Sequence, residues 1–180
     1  PIMQAANTAG ALGRPGARFD LVRVGLGIYG LRPDPDPAPE IALRPAMRVV
    51  SQVSLVRRLP AGARPSYGRR RPLPGDAAVA TVPIGYADGG ARRLGHVGGE
   101  VLIGGRRRPF AGTVTMDQIV VDLGADEVAV GDEVVLIGEQ GDEAITADEW
   151  ARLLDTINYE IVCDFGPRLP RRYRQADSDD

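Results

Sequence analysis

The sequence predicts a mainly β fold, a β-barrel or sandwich that carries one or two short helices. Short apolar runs recur along residues 41–174 and are separated by glycine, proline and acidic residues at the spacing typical of a sandwich or barrel. One capping-box pattern, Thr-Ala-Asp-Glu at 146–149, precedes an apolar stripe and marks the best-signalled helix. These two observations together favour sheets over helical layers.

The composition is that of a folded domain. Of the 180 residues, 43% are hydrophobic and 26% are charged, which is enough for a sizeable core. The net charge of −2 gives no strong attraction to nucleic acid or to an anionic membrane, and the apolar runs are too short to span a bilayer. A single cysteine, Cys163, cannot form an internal disulfide, so we expect a reducing, cytoplasmic environment.

Two absences bear on chemistry and on completeness. The chain contains no lysine, because all 22 basic residues are arginine. A Schiff base on a side chain needs a lysine amine, so this chain cannot make one. The sequence also begins at Pro1 rather than at methionine. We therefore expect it to be a fragment.

The first 40 residues divide into two stretches. The alternating run at 19–24 predicts a buried strand, followed by a glycine turn at 25–27 and a short helix toward Tyr29. A strand, a glycine turn and a helix start together form a unit that can hold a phosphate. Prolines then alternate through residues 33–40, which predicts an extended linker.

Beyond the linker the pattern predicts a series of strands. Gly104 and Gly105 separate two of them and predict a hairpin turn. The polar, acidic residues 175–180 predict a frayed tail. The predicted strands lie within residues 47–59, 79–84, 100–103, 107–114, 118–123 and 133–137.

Local chemistry singles out several residues, and each also has an ordinary structural interpretation. Thr8 with Gly25 offers a hydroxyl and main-chain amides to a phosphate, although hydroxyls beside glycines are common. Arg23, in an apolar strand, either contacts a ligand or reaches solvent. Tyr67, flanked by glycine and arginines, is either an acid/base group or a surface aromatic. Met116 is by default core filler. Residue chemistry alone identifies no function.

The order of the motifs is far more specific than any one of them. Taken together, they resemble the C-terminal part of bacterial alanine racemase, a pyridoxal-phosphate enzyme of fold type III, over nearly the whole chain. The motifs are Asn-Thr-Ala at 7–9, Phe-Asp-Leu-Val-Arg-Val-Gly at 19–25, Tyr-Gly at 29–30, Ser-Tyr-Gly at 66–68, Gly-Tyr-Ala-Asp-Gly at 85–89, Met-Asp-Gln at 116–118, Gly-Asp-Glu-Val at 131–134, Thr-Ile-Asn-Tyr-Glu at 156–160 and Pro-Arg-Leu-Pro-Arg at 167–171.

The resemblance implies a two-domain subunit, in which a (β/α)8 barrel precedes a mainly β domain. Residues 1–32 would be the last elements of a truncated barrel, 33–40 a proline-rich linker and 41–174 the β domain. The family's cofactor lysine lies on an early barrel strand, upstream of Pro1. The implied activity is interconversion of L- and D-alanine, supplying D-alanine for peptidoglycan. The implied unit is a cytoplasmic homodimer whose active sites are shared between subunits, and the fragment alone is expected to be inactive.

The resemblance also implies two residues that act on the reaction. Tyr67 matches the tyrosine that serves as one of two acid/base groups, in the active site of the partner subunit, opposite the cofactor lysine. Positive charge near it, for instance from Arg69, Arg70 or Arg71, would favour the phenolate. Arg23 matches the arginine that faces the pyridine nitrogen. An arginine does not give up its proton, so the ring stays a weak electron sink and transamination is suppressed.

The remaining roles implied by the resemblance concern binding. The phosphate-binding positions match Thr8, Gly25, Leu26 and Tyr159. The substrate carboxylate is bound by the main-chain amide of Met116, with Tyr86 at the same end, and Asp117 with Arg92 supports this region. No metal, nucleic acid or membrane is implied.

Three of the positions that depart from the family pattern bear on specificity. Gln4 stands where a histidine commonly supports the pyridine-facing arginine, Arg71 stands where an aromatic often follows the tyrosine motif, and Gly90 stands where an aromatic often follows the 85–89 motif. These departures put fine specificity in doubt, so a racemase of serine or another small amino acid stays open. The missing lysine leaves open a third alternative, a β domain that docks on a barrel partner and has no chemistry of its own.

Overall fold

Strands dominate residues 1–174, the part of the chain that this computed structural model describes. Four short α-helices accompany them, and the predicted frayed tail, 175–180, lies outside the described residues. The strands are β1 (Gln4–Asn7), β2 (Leu21–Arg23), β3 (Val49–Gln52), β4 (Leu55–Leu59), β5 (Ala77–Val82), β6 (Glu100–Ile103), β7 (Arg106–Pro109), β8 (Ile119–Gly124), β9 (Glu133–Gln140) and β10 (Glu143–Ile145). The helices are α1 (Thr8–Gly13), α2 (Leu94–Val97), α3 (Ala147–Leu154) and α4 (Asn158–Asp164).

The N-terminal residues form a small unit of their own. β1 and β2 pair in parallel, with Gln4 opposite Leu21 and Asn7 opposite Arg23, and α1 lies between them in the chain. Asn7 caps α1, since its side chain accepts a hydrogen bond from the Gly10 amide at 3.0 Å. A parallel pair needs such a crossover connection, which an antiparallel hairpin does not.

The prediction of a mainly β fold is confirmed, and the sheets do not close into a barrel. One sheet has the order β10-β9-β6-β7, and β3 also pairs with β9. A second sheet has the order β4-β5-β8. All of these pairs are antiparallel. A single bridge between Phe110 and Val121 joins the end of β7 to β8.

Alternation along β5 divides the apolar side chains between two clusters. Ala78, Ala80 and Val82 face the main core, which both sheets share with α3 and α4. Ala77 and Val79 face the other side, where they pack with Leu73 and Ala111. Successive side chains of a strand point to opposite faces, so one strand serves both clusters. The second cluster fixes the long loop after β4 against the outer face of its sheet.

Two local predictions are confirmed. β6 and β7 form a hairpin, and Gly104 and Gly105 occupy its turn with φ of 62° and 71°, a conformation that only glycine adopts without strain. Thr146 caps α3, since its hydroxyl accepts a hydrogen bond from the Glu149 amide at 3.0 Å. The Glu149 carboxylate does not complete the capping box; it binds Arg107 instead.

Two predicted strands differ in the structure. The strand expected to be buried at 19–24 is shorter, and its residues Leu21–Arg23 are exposed, because β1 is its only sheet neighbour among the described residues. The strand expected at 107–114 ends at Pro109. The chain then turns beneath the loop after β4, where a Cβ on Gly112 would lie 2.5 Å from the Pro65 carbonyl oxygen.

Residues 33–40, the predicted linker, contain no helix or strand, and they fold around one side chain rather than running extended. Arg32 forms an ion pair with Asp36 at 2.7 Å and also donates to the carbonyl of Ala38 at 3.1 Å and to that of Ile41. The Asn158 amide donates to the Arg32 carbonyl at 2.8 Å. These contacts tie the linker to the start of α4.

Among residues 1–174, no helix is long and apolar enough to cross a membrane.

Candidate active site

Tyr67 lies at the tip of the long loop between β4 and β5. Its side chain is 73% exposed, and a single 3-10 turn, Tyr67–Arg69, carries it. The base of the loop is closed by paired backbone hydrogen bonds, from Gly62 to Leu73 and from Leu73 to Ala63, both 2.9 Å. The phenol therefore projects from a loop whose two ends are fixed.

Two hydroxyl groups clamp this loop to the segment after β7. The Ser66 hydroxyl donates to the Thr113 carbonyl at 2.5 Å, and the Thr113 hydroxyl donates back to the Tyr67 carbonyl at 3.0 Å. Thr113 is buried, so its side of the exchange is shielded from water. Positive φ values at Ser66, Gly68 and Arg69 show that the backbone here is held in an unusual conformation. The clamp keeps the tyrosine backbone in place against this strain.

Of the arginines in this loop, Arg64 and Arg71 donate to main-chain carbonyls, whereas the side chains of Arg69 and Arg70 make no hydrogen bond within residues 1–174. Arg71 donates to the Phe110 carbonyl at 2.6 Å, and Arg64 donates to the Arg69 carbonyl at 3.0 Å. Within residues 1–174, no arginine hydrogen-bonds the phenol oxygen of Tyr67. Arg71 therefore holds the loop in place and does not bind the phenol.

Met116 and Tyr86 lie on two turns that are packed backbone against backbone. The Tyr86 amide donates to the Thr115 carbonyl, and the Ala87 amide donates to the Met116 carbonyl, both at 3.0 Å. A Cβ on Gly85 would lie 2.3 Å from both of these carbonyl oxygens, so only glycine permits this approach. The Met116 amide itself has no hydrogen-bond acceptor among the described residues, and the residue is exposed. A main-chain amide without an acceptor, in an exposed residue beside Tyr86, can bind a carboxylate.

Asp117 is held by an arginine that the sequence reasoning did not single out. Arg168 lies between two carboxylates, with its Nη2 2.6 Å from Asp117 Oδ1 and its Nε 3.1 Å from Asp88 Oδ1. Arg92, expected to support this region, is exposed and makes no side-chain hydrogen bond within residues 1–174. The structure thus brings Asp117 together with Arg168 and not with Arg92.

Thr8 organises the glycine turn after β2. Its hydroxyl oxygen accepts the amides of Gly25 at 3.2 Å and of Gly27 at 3.3 Å, and the side chain is buried. The hydroxyl hydrogen stays available to donate, and the Leu26 amide has no acceptor among the described residues. A Cβ added to Gly25 would meet nothing within 4 Å, so the turn is open on that side. A hydroxyl and main-chain amides facing open space fit a phosphate group.

Arg23 and Gln4 contact each other across the parallel pair. Arg23 Nη1 donates to Gln4 Oε1 at 3.4 Å, and both side chains are exposed. The glutamine that replaces the expected histidine therefore reaches the same arginine. Tyr159 is partly exposed in the first turn of α4, directly after Asn158.

Apart from Tyr159 and Arg92, the predicted residues form three groups in the structure. No hydrogen bond or ion pair within residues 1–174 joins one group to another. Gly90, the third departure, closes the turn at 85–89, and a Cβ there would lie 3.1 Å from the Gly85 carbonyl oxygen. No cluster of three or more metal-ligating side chains occurs in the described part of the chain. The groups are Thr8, Arg23, Gly25 and Leu26 in the N-terminal unit; Tyr67 on its loop; and Tyr86, Met116 and Asp117 on the paired turns.

Comparison with known proteins supports the motif-based resemblance. The family model of the alanine racemase C-terminal domain matches residues 46–173. The alanine racemase of Frankia casuarinae is 51% identical over 170 residues, which cover 93% of this chain and 44% of that protein. The crystal structure of alanine racemase from E. faecalis has a TM-score of 0.89 and 41% identity, covering 96% of this chain and 46% of that one. The alanine racemase of Bacillus anthracis with bound L-Ala-P has a TM-score of 0.86 and 41% identity, covering 92% and 42%.

The fold and the site together define a class of protein. An antiparallel β domain follows a parallel β-strand pair with a glycine turn. The loops of the β domain present an exposed tyrosine and a free main-chain amide. The chain belongs to the alanine racemase family and contains its C-terminal domain, so the predicted resemblance is confirmed. It spans less than half the length of the curated relatives it matches.

Proposed function

We propose that this chain is the C-terminal part of a pyridoxal-phosphate-dependent alanine racemase that interconverts L- and D-alanine for peptidoglycan synthesis. The observation that carries the proposal is the exposed Tyr67 side chain on a clamped loop, in a chain 51% identical to an alanine racemase. Two acid/base groups on opposite faces of the substrate Cα give inversion, which one base without reorientation cannot easily do. Tyr67 supplies one of them, and a lysine outside this chain supplies the other.

The N-terminal unit would hold the cofactor phosphate. Thr8 and the amides of Gly25 and Leu26 are the donors, and Tyr159 adds a phenol from α4. When bound, the cofactor supplies the electron-withdrawing ring that acidifies the α-proton of the amino acid. Arg23 would be the residue toward the ring nitrogen and, because an arginine keeps its own proton, it would leave that nitrogen unprotonated. Gln4 orients Arg23 through their hydrogen bond.

The paired turns would hold the substrate carboxylate. The Met116 amide donates to one carboxylate oxygen, and Tyr86 lies beside it, so the amino acid is held by its carboxylate while its Cα faces the bases. The L-Ala-P ligand of the Bacillus anthracis relative agrees with an alanine-sized occupant. Tyr67 then removes or returns the α-proton from one face.

The catalytic unit would be a cytoplasmic homodimer. The Tyr67 side chain is exposed, and no hydrogen bond or ion pair within residues 1–174 joins it to the phosphate-binding group. We therefore assign Tyr67 to the active site of the partner subunit. The lone, exposed Cys163 agrees with a reducing compartment.

Reconstitution tests the proposed function. The reconstituted enzyme is this chain joined to a lysine-bearing N-terminal half, either its own or that of the Frankia casuarinae relative. It should racemise L-alanine, whereas the chain alone should neither racemise alanine nor bind pyridoxal phosphate covalently. A soluble, dimeric reconstituted enzyme that leaves both alanine enantiomers unchanged would contradict the proposal and would favour a β domain without chemistry.

A further inference from the structure

Arg168 connects the C-terminal segment to the two turns that carry Tyr86 and Met116. Its guanidinium is 3.1 Å from Asp88 on one turn and 2.6 Å from Asp117 on the other. The three carboxylate and guanidinium groups come from distant parts of the sequence, since Asp117 precedes Arg168 by 51 residues. The arginine is thus the only side chain among residues 1–174 that forms ion pairs with both turns.

The Asp88 carboxylate shows why a cation is needed at this place. Asp88 is buried, and its Oδ2 accepts the Gly85 amide at 2.9 Å, which closes the turn around Tyr86. A buried carboxylate is costly unless an opposite charge compensates it. Arg168 is the cation that the described residues provide, and it reaches Asp88 through the second carboxylate oxygen.

The Asp117 contact acts on the other turn. Asp117 is exposed and directly follows Met116, whose carbonyl is already engaged by Ala87 at 3.0 Å. The Met116 N–H shares its peptide group with the Thr115 carbonyl, which accepts the Tyr86 amide at 3.0 Å. The peptide that follows Met116 is held by the Ala87 amide and by the Asp117 side chain. The direction of the free Met116 amide is therefore fixed from both sides.

We propose that Arg168 is a positioning residue for recognition of the substrate carboxylate. It holds the turn that carries Met116 through Asp117 and the turn that carries Tyr86 through Asp88, and it does not itself touch the substrate. This inference rests on the proposed function. It predicts that loss of Arg168 weakens binding of any small carboxylate while leaving proton transfer by Tyr67 largely intact.

The test measures carboxylate binding in the reconstituted enzyme. Arg168→Gln should raise the KM for alanine and the calorimetric Kd of propionate, which is alanine without its amine, by about tenfold, with kcat changed by less than about threefold. Arg168→Lys should restore part of the affinity. Arg172→Gln is the matched control, because Arg172 is exposed and makes no side-chain hydrogen bond among the described residues; it should leave both constants unchanged.

A double-mutant cycle separates positioning from general stability. Asp117→Asn should weaken propionate binding in the same way, and the Arg168→Gln, Asp117→Asn double variant should be little worse than either single variant. If Arg168→Gln fails to fold, Asp117→Asn still tests the inference, because Asp117 is exposed and its substitution leaves the core unchanged. Propionate affinity within about twofold of wild type in the folded variants would overturn the inference. An inactive wild-type reconstituted enzyme would instead overturn the proposed function.

Discussion

At the scale of single residues, the surroundings of Arg23 lead to a prediction about transamination as a side reaction. The side chain donates to Gln4 and has no carboxylate partner among residues 1–174. An arginine in this place keeps a facing ring nitrogen unprotonated, whereas a carboxylate would share a proton with it. If the chain works as proposed, the identity of residue 23 would set how strongly a bound cofactor withdraws electrons.

Arg23→Glu should therefore increase transamination in the reconstituted enzyme. We expect the ratio of pyruvate formed to alanine racemised to rise by about tenfold or more, equal to a barrier difference of ~1.4 kcal/mol. Arg14→Glu is a matched charge change in the same N-terminal unit, at an exposed side chain without a hydrogen bond among the described residues. A ratio that rises equally in both variants would contradict the role of Arg23.

Residue types alone revealed only part of the site. Thr8, Tyr67 and Met116 each had an ordinary structural interpretation, and only the order of the motifs assigned them roles. Arg168 could not be predicted, because its two carboxylate partners lie far away in the sequence and meet it only in the fold. The prediction that Arg92 supports Asp117 failed for the same reason, because the sequence does not show which arginine reaches an aspartate.

At the scale of elements, local signals predicted turns and caps better than strand ends. Gly104 and Gly105 predicted the β6–β7 hairpin, and Thr146 predicted the start of α3, because each depends on neighbours in sequence. The strand expected at 107–114 ended early, since the loop that carries Tyr67 packs over residues 110–113. That packing is a long-range contact, and no pattern within the strand encodes it.

The clamp between the Tyr67 loop and the β7–β8 connection gives an element-scale prediction. Thr113→Val removes the hydroxyl that donates to the Tyr67 carbonyl and leaves that carbonyl without its partner, at a cost of about 1–3 kcal/mol. Because the loop would then sample other conformations, we expect kcat to fall about tenfold, with a smaller change in KM.

Thr113→Ser is the control for this prediction, since it keeps the hydroxyl and removes one methyl group. It should retain most of the wild-type kcat. Equal losses in the serine and valine variants would show that side-chain packing, and not the hydrogen bond, holds the loop.

At the scale of the whole molecule, ion pairs link parts of the chain that are distant in sequence and make stability depend on pH. Arg48, near the linker, lowers the pKa of Glu133 at the start of β9, mainly through their hydrogen bond. A carboxyl whose pKa is lower in the folded state contributes stability above its unfolded pKa. That contribution is lost as the pH falls through the lower, folded value.

Glu133→Gln should therefore destabilise the protein at pH 7 and have a vanishing effect in acid. Both side chains are partly exposed, so the loss at pH 7 should stay below about 1 kcal/mol. Chemical denaturation at pH 7 and at about pH 3 measures it, with Glu127→Gln as the exposed control. A deficit that persists unchanged in acid would show that lost packing, and not the ionised carboxylate, is responsible.

The central claim is that each subunit contributes its Tyr67 to the active site of its partner, and mixing two inactive variants tests it most directly. One variant carries Tyr67→Phe, and the other lacks the cofactor lysine; each alone should be inactive. In mixed dimers, one of the two sites regains both a lysine and a tyrosine, so random mixing should recover about a quarter of wild-type racemase activity. Mixed dimers as inactive as either parent would show that Tyr67 does not act across the subunit interface.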